Sequence, residues 1–382
     1  MIFLQHKDDR GVGVRYSVCE TELGVGESHA VLLPVDTAKN FEHQLEALLL
    51  AFDSFCHKIY SEQKLRPVLL RFFLSDVMNQ IDSFRERTSS LSCPVSLVQQ
   101  SPLSGAKVGL WVYANALPQV AKDGEVWIQP SGSYTHLWQT QLVGEGKDTY
   151  QLTDTIFNDI SSSLAMHHFN LKDHCIRTWL YVNNVDYNYA QVVEARKVNF
   201  EKNGMTQATH YIASTGIEGK WFDAKQSIFA DAYSVGGLQQ KQIAFLRASD
   251  YMNPTYEYGV TFERATSVEY GDRKHVFVSG TASIDNKGTI LHRGDILKQM
   301  ERAMVNVNAL LVEAECQLTD IAQMIVYVRD LSDNAAVTAY FNEHYAAVPR
   351  ILVHAAVCRP GWLVEIECIA VKMVANSAFD AF

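Results

Sequence analysis

A chain of 382 residues, 47% hydrophobic and 20% charged, has the make-up of a folded globular protein with room for two or three domains. Its formal net charge of −10 offers no basic stripe to meet phosphates, which excludes a nucleic-acid surface and makes local arginines necessary for any anionic substrate. Seven cysteines form no CxxC pair and lie scattered through apolar runs, the pattern of reduced thiols in a cytoplasmic protein. The opening MIFLQHKDDR lacks the marks of a signal peptide, and no apolar run is long enough to span a membrane.

In chain order, VGVRYSV and HAVLLPV read as short strands. Phe41 to Tyr60 has apolar residues at helical spacing, PVLLRFFLSD is an apolar strand, and Val77 to Arg87 is a second helix. CPVSLVQQ and AKVGLWVY follow as strands. The order then returns. EVWIQPSGSYTHLWQTQLV has the look of a hairpin, and Thr153 to Phe169 is predicted helical with Thr153 or Asp154 as its cap. CIRTWLYV is a strand, Tyr189 to Lys202 a helix ended by Asn203-Gly204, and THYIAS a strand. On the third pass HVFVSGTASI is a strand, Gly294 to Ala314 a long helix, IAQMIVYV a strand and Ala335 to Tyr345 a helix. The end, RILVHAAVCRPGWLVEIECIAVK, reads as two apolar strands closed into a hairpin at Arg359-Pro360-Gly361-Trp362.

LKDHCIRTWLYVNNVD and LTDIAQMIVYVRDLSD align with a one-residue slip, which points to repeated units. A third of the chain is about 127 residues, an ordinary size for a small domain. The expected architecture is therefore α+β, three units each with a mixed sheet backed by two helices, divided at 1–118, 119–240 and 241–382.

Two charges stand out in the closing segment. Arg350 enters its first strand, and Glu365 follows fifteen residues later in VEIECIAV, on the same alternating face as Glu367. Taken alone, such charges describe a solvated outer face or a pocket. Arg350 with VEIECIAV resembles the end of the Rid superfamily, the YjgF or L-PSP endoribonuclease-like proteins. That resemblance implies that Arg350 binds a substrate carboxylate, that Glu365 serves proton chemistry, and that three units form a trimer-like ring with sites between them. The chain would then be a monomer with an internal pseudo-trimer, or a homotrimer.

VSLVQQSPLSGAKVGLWVY, RTWLYVNNVD with Arg196 and Phe200, IASTGIEG, YEYGVTFERA, SGTASI with HRGDILKQMERAMVNVNALL, and AAVCRPGWLVEIE together resemble the chorismatases of that superfamily. These enzymes release pyruvate from chorismate, leaving a dihydroxycyclohexadiene carboxylate or a hydroxybenzoate. The sequence departs from their pattern at Lys197, at Met205 and over 285–289, all expected at the ring end of the substrate.

The chemistry asks for an anchored carboxylate and a proton delivered to carbon or managed on nitrogen. Guanidinium suits the first task as a permanently charged bidentate fork. A half-buried carboxylic acid with a raised pKa suits the second, and Glu365 between Val364 and Ile366 is placed to be one. Arg264 is a second anchor or an exposed strand-end arginine, and Arg177 in CIRTWLYV faces a pocket or snorkels outward. Thr215-Gly216 is either an anion-binding turn of backbone N–H groups or a plain turn, and Cys358 lines the pocket or is a structural thiol. No phosphate loop, dinucleotide fingerprint, metal-ligand spacing or nucleophile elbow occurs, so no cofactor and no metal are expected. Three functions follow: a chorismate-converting enzyme, an enamine or imine deaminase acting on 2-aminoacrylate-like substrates, and a non-catalytic binding protein on the same fold.

Overall fold

The computed structural model describes residues 1–21 and 24–382 and contains three six-stranded mixed sheets. The first sheet takes β1 (Ile2–Lys7), β2 (Val12–Thr21), β3 (Gly24–Pro34), β4 (Arg66–Leu74), β5 (Val95–Gln99) and β6 (Val108–Asn115), with helices α1 (Phe41–Phe55) and α2 (Val77–Thr88). The second takes β7 (Ala121–Asp123), β8 (Val126–Ser131), β9 (Tyr134–Val143), β10 (Cys175–Val182), β11 (Ala213–Glu218) and β12 (Ile228–Gly236), with α3 (Thr149–Met166) and α4 (Val185–Lys202). The third takes β13 (Ile243–Leu246), β14 (Ala265–Glu269), β15 (Arg273–Thr281), β16 (Ile321–Val328), β17 (Arg350–His354) and β18 (Val364–Met373), with α5 (Ile296–Glu313) and α6 (Asn334–His344).

All three sheets have one topology. Numbering the strands within each, the spatial order is first, second, third, sixth, fourth, fifth. Fourth and fifth are parallel and bracket the second helix, while the sixth runs antiparallel to both its neighbours. A register shift falls at the same place in each central pair: between Pro67 and Leu69, between Cys175 and Arg177, and between Ile321 and Gln323. These shared irregularities make ladder positions in the three units directly comparable.

The sequence patterns explain the elements. Phe41, Leu45, Leu48, Phe52 and Phe55 bury one stripe of α1, and the Asn40 side chain caps it by accepting the His43 N–H. Asp295 caps α5 through Lys298 N–H, and Met300, Ala303, Met304, Val307, Leu310 and Leu311 form its buried stripe. The helices cover one face of their sheet: α1 touches β3 and β6, α3 touches β9 and β12, and α5 touches β15 and β18. Sheet edges and opposite faces meet across units, β5 against β9, β11 against β15, and β16 and β18 against β2 and β3. Among the described residues no helix is long and apolar enough to cross a membrane.

Three expectations need correction, and β12 is a strand the sequence reading does not include. The closing segment is no hairpin, because β16 lies between β17 and β18 and pairs with both. The Pro-Gly signal marks a loop that crosses over β16, and local turn chemistry carries no information about an inserted third strand. Helix α3 begins at Thr149, capped by Asp148, which accepts the Gln151 N–H, one turn before the expected Thr153 or Asp154. The strand expected over THYIAS is β11, shifted to Ala213–Glu218, so Thr215 and Gly216 stand in a parallel ladder opposite Trp179 and Leu180 and form no turn. Strand β12 follows the polar Asp223-Ala224-Lys225-Gln226-Ser227 and its alternation is masked by burial on both faces.

Candidate active site

Where the three units meet, four charged side chains are fully enclosed. Arg71 of β4 pairs with Asp231 of β12 at 3.1 Å, and Arg177 of β10 pairs with Glu367 of β18 at 2.8 Å. Trp179 Nε1 donates to the other Glu367 oxygen at 2.9 Å, and the Ser96 hydroxyl donates to Asp231 at 2.5 Å. Two guanidinium groups thus face two carboxylates, drawn from all three sheets. Buried charges persist only when paired and hydrogen-bonded, so this cluster fixes how the units dock.

Glu365 lies two residues before Glu367, on the same face of β18, and its surroundings differ. Only 5% of it is exposed. Burial pushes its pKa up to about 8; the neighbouring Glu367 charge pushes the same way, and Arg177 and Arg264 oppose. At neutral pH it is a carboxylic acid holding a proton. Gly280 of β15 lets it sit there, since a Cβ on that residue would overlap the Glu365 carboxyl.

Glu365 borders a cavity between the second and third units, about 460 Å³ counting its mouth and narrow through most of its length. Ser214 and Gly216 of β11 and Tyr189 of α4 form one wall. Gly280, Ala282, Phe262, Arg264, Cys358, Arg359 and Trp362 form most of the rest. Arg264 is 3% exposed, and its Nη2 donates to the Asn253 carbonyl at 2.9 Å, which holds the guanidinium at the wall. Arg359 lies with its Cζ 5.4 Å from the Trp362 ring. Trp362 is itself tied down by donating to the Ser283 carbonyl at 3.1 Å. Burial, aided by the Glu365 charge, pushes the Cys358 thiol up to about 12, so it lines the cavity as a neutral thiol.

Of the expected residues, Glu365, Arg264, Gly216 and Cys358 come together here. Arg264 is no exposed strand-end arginine, because β14 begins just after it and tucks it between Asn253 and Phe262. Arg177 does not belong to the lining; it stands behind the wall, donating to Glu367 and at 2.5 Å to the Thr215 hydroxyl. Thr215 in turn accepts the Gly280 N–H at 2.9 Å, so both residues brace the strand beneath Glu365. Their place is structural support, and the anion-binding backbone turn does not form.

Arg350 is the main correction. Residues opposite one another in a ladder share a sheet face, and Arg350, Met324 and Cys368 form one such row. Glu365 belongs to the row of Tyr327 and Val353, three residues along, and so lies on the other face. Arg350 borders a separate cleft between the third and first units. Arg359, Tyr189, Ser214 and Trp362 went unassigned from sequence, the first and last because they read as turn residues. Lys197 is exposed and Met205 is packed in the core of the second unit, so neither lines the cavity.

The fold and site define a class: three like α+β units in one chain, with a buried acid and an arginine facing a cavity between two of them. The family model described as Endoribonuclease L-PSP matches residues 265–372, within the third unit. A RutC family protein of Pyrococcus abyssi is 32% identical over 99 residues, 25% of this chain and 78% of that protein. A 2-iminobutanoate/2-iminopropanoate deaminase of Salmonella typhimurium is 35% identical over 103 residues, 25% of this chain and 79% of that protein. The chain belongs to this RutC or Rid family of L-PSP endoribonuclease-like proteins. A chorismatase crystal structure superposes with a TM-score of 0.63 at 20% identity, covering 80% of this chain and 92% of that one, so the three-unit fold is shared.

Proposed function

We propose that the protein is an enzyme that protonates the methylene carbon of a chorismate-like enolpyruvyl ether and releases pyruvate. The observation that carries this reading is Glu365: a buried carboxyl, protonated at neutral pH, in a cavity whose wall holds Arg264. Arg264 and Arg359 supply the cation for the substrate carboxylate. The Glu365 proton goes to the terminal CH2, leaving positive charge on the ether carbon and a carboxylate on Glu365. Water adds to that carbon with loss of one proton to Glu365, and the resulting hemiketal collapses to pyruvate and the ring alcohol. Trp362, Phe262 and Tyr189 supply apolar walls for the ring. The same acid and arginine serve a second reading, hydrolysis of a 2-aminoacrylate-like enamine or imine, which the deaminases among the sequence relatives favour.

The test is pyruvate release from chorismate by the purified protein, with Glu365→Gln alongside and the ring products separated by chromatography. Release by wild type and not by the variant supports the first reading. If chorismate yields no pyruvate and 2-aminoacrylate is hydrolysed in a Glu365-dependent way, the second reading replaces it.

A further inference from the structure

Arg329 follows β16 in the third unit and joins pieces of chain that belong to two walls of the Glu365 cavity. Its Nη1 and Nη2 pair with the two Asp186 oxygens at 3.0 and 2.7 Å, and Nη2 also donates to the Val357 carbonyl. Asp186 lies in the first turn of α4 in the second unit, three residues before Tyr189 and so on the same side of the helix. Val357 directly precedes Cys358 and Arg359 in the loop between β17 and β18. Tyr189, Cys358 and Arg359 border the cavity, whereas Arg329 and Asp186 stand behind it.

The contacts on either side carry this clasp to the walls. Tyr189 lies against Gly216, where a Cβ would meet its ring at 2.7 Å, and it hydrogen-bonds to the Cys358 thiol. The Arg329 backbone N–H donates to the Leu363 carbonyl at 2.9 Å, and His354 Nε2 donates to the Arg329 carbonyl at 3.2 Å. Both ends of the loop are therefore tied to the residue whose guanidinium grips its middle. Hydrogen bonds from Arg329 hold the Asp186 carboxyl below the usual aspartate range. The two side chains are 18% and 36% exposed. A partly exposed pair of this kind adds little to stability, but a planar fork held by three acceptors fixes position.

Glu365 is seated elsewhere. Its carboxyl rests on Gly280, whose N–H is held by Thr215. The acid and the clasp thus belong to different walls of one cavity.

From this arrangement we propose that Arg329 is a positioning residue: clasped to Asp186 and Val357, it sets the gap between Tyr189 on the second unit and Cys358 and Arg359 on the third, and with it how tightly the body of the substrate is gripped. This rests on the reading that the substrate binds in the Glu365 cavity. A grip made equally in the ground state and the transition state shows in KM and leaves kcat alone.

The experiment uses the full chain as wild type, Arg329→Met, Arg329→Lys and Asp186→Asn; both side chains reach solvent, so the variants fold. The first readout needs no substrate. It is alkylation of the half-buried Cys358 by iodoacetamide, followed by peptide mass, with the buried Cys368 as the control for general loosening. Cys358 reacts several-fold faster in Arg329→Met and Asp186→Asn, and Cys368 keeps its wild-type rate. The second readout is steady-state pyruvate release, in which KM rises about tenfold in both variants with kcat within about twofold. Lysine keeps a charge beside Asp186 but has no fork to reach Val357 as well, so Arg329→Lys leaves KM raised, where a merely stabilising charge would restore it. Wild-type Cys358 rates in Arg329→Met and Asp186→Asn overturn the proposal, as does a KM that is unchanged in them or that lysine restores. If wild type releases pyruvate from neither chorismate nor 2-aminoacrylate, the functional reading falls and the Cys358 rates alone decide the clasp.

Discussion

Ser214 and Arg350 occupy the same ladder position in successive units, and it is Ser214 that borders the cavity of Glu365. Thr178 pairs with Ser214 and Ala232, as Met324 pairs with Arg350 and Cys368. The edge strand of each unit abuts the sheet of the next, β11 against the third unit and β17 against the first, where the Leu103 N–H donates to the Leu352 carbonyl at 2.9 Å. The arginine and the glutamate of one unit therefore belong to two neighbouring interfaces. In this chain the interface with the acid has a serine at the arginine's position, and its cations come instead from Arg264 and Arg359.

Rate should follow the proton on Glu365. With its pKa near 8 in the free protein, the acid is loaded at pH 7 and empties as pH rises, so kcat/KM for pyruvate release falls through about pH 8. Glu365→Gln has no proton to give and loses about 10²–10⁴ in kcat. A pH–rate profile from pH 6 to 9.5 measures both; a rate that rises through pH 8 would remove Glu365 as the acid.

Stability moves with the same proton. A carboxyl whose folded pKa is raised contributes stability that is fully present below its unfolded value and is lost as pH rises through the folded value. Here the window runs from the ordinary glutamate value of 4.5 up to about 8. The displacement corresponds to up to about 5 kcal/mol. Glu365→Gln keeps the neutral form at every pH. It should match wild type near pH 4.5 and exceed it in Tm by several degrees at pH 9, read by thermal unfolding.

Gly280→Ala tests the packing beneath the acid. The new methyl group takes the space of the Glu365 carboxyl, and the strand cannot retreat because Thr215 holds the Gly280 N–H. The carboxyl must turn away, and a misplaced catalytic group costs about 10²-fold. We expect that loss in kcat with KM changed little; wild-type kinetics in the variant would show that the carboxyl acts from another position.

Much of this was legible in the residues. The repeat, the two helices per unit and the shared face of Glu365 and Glu367 follow from periodicity, and Glu365's apolar neighbours in β18 signal its raised pKa. The partnership of Arg350 with Glu365 was misread for a topological reason: a spacing of fifteen residues says nothing of the strand that inserts between them. Tyr189 and Ser214 reach the cavity only because units two and three dock, a contact with no local signature. Arg177 looked like a pocket arginine because a charge in an apolar strand signals a partner; the partner is Glu367.

Arg177 and Glu367 give the last prediction. Removing one member of a buried pair leaves the other charged and dry, which costs about 3–5 kcal/mol, whereas replacing both by apolar groups costs far less. Arg177→Met alone should lower stability in that range, since it leaves Glu367 with the neutral Trp179 Nε1 donor at 2.9 Å and the more distant Arg71, 3.9 Å away. Arg177→Met/Glu367→Leu should recover part of the loss, although it leaves Arg71 with Asp231 as its one close carboxylate. Denaturant titration of the wild type, Arg177→Met, Glu367→Leu and the double variant closes the cycle. A coupling near zero would mean that the two charges are independently solvated and that the three units are docked by their apolar surfaces alone.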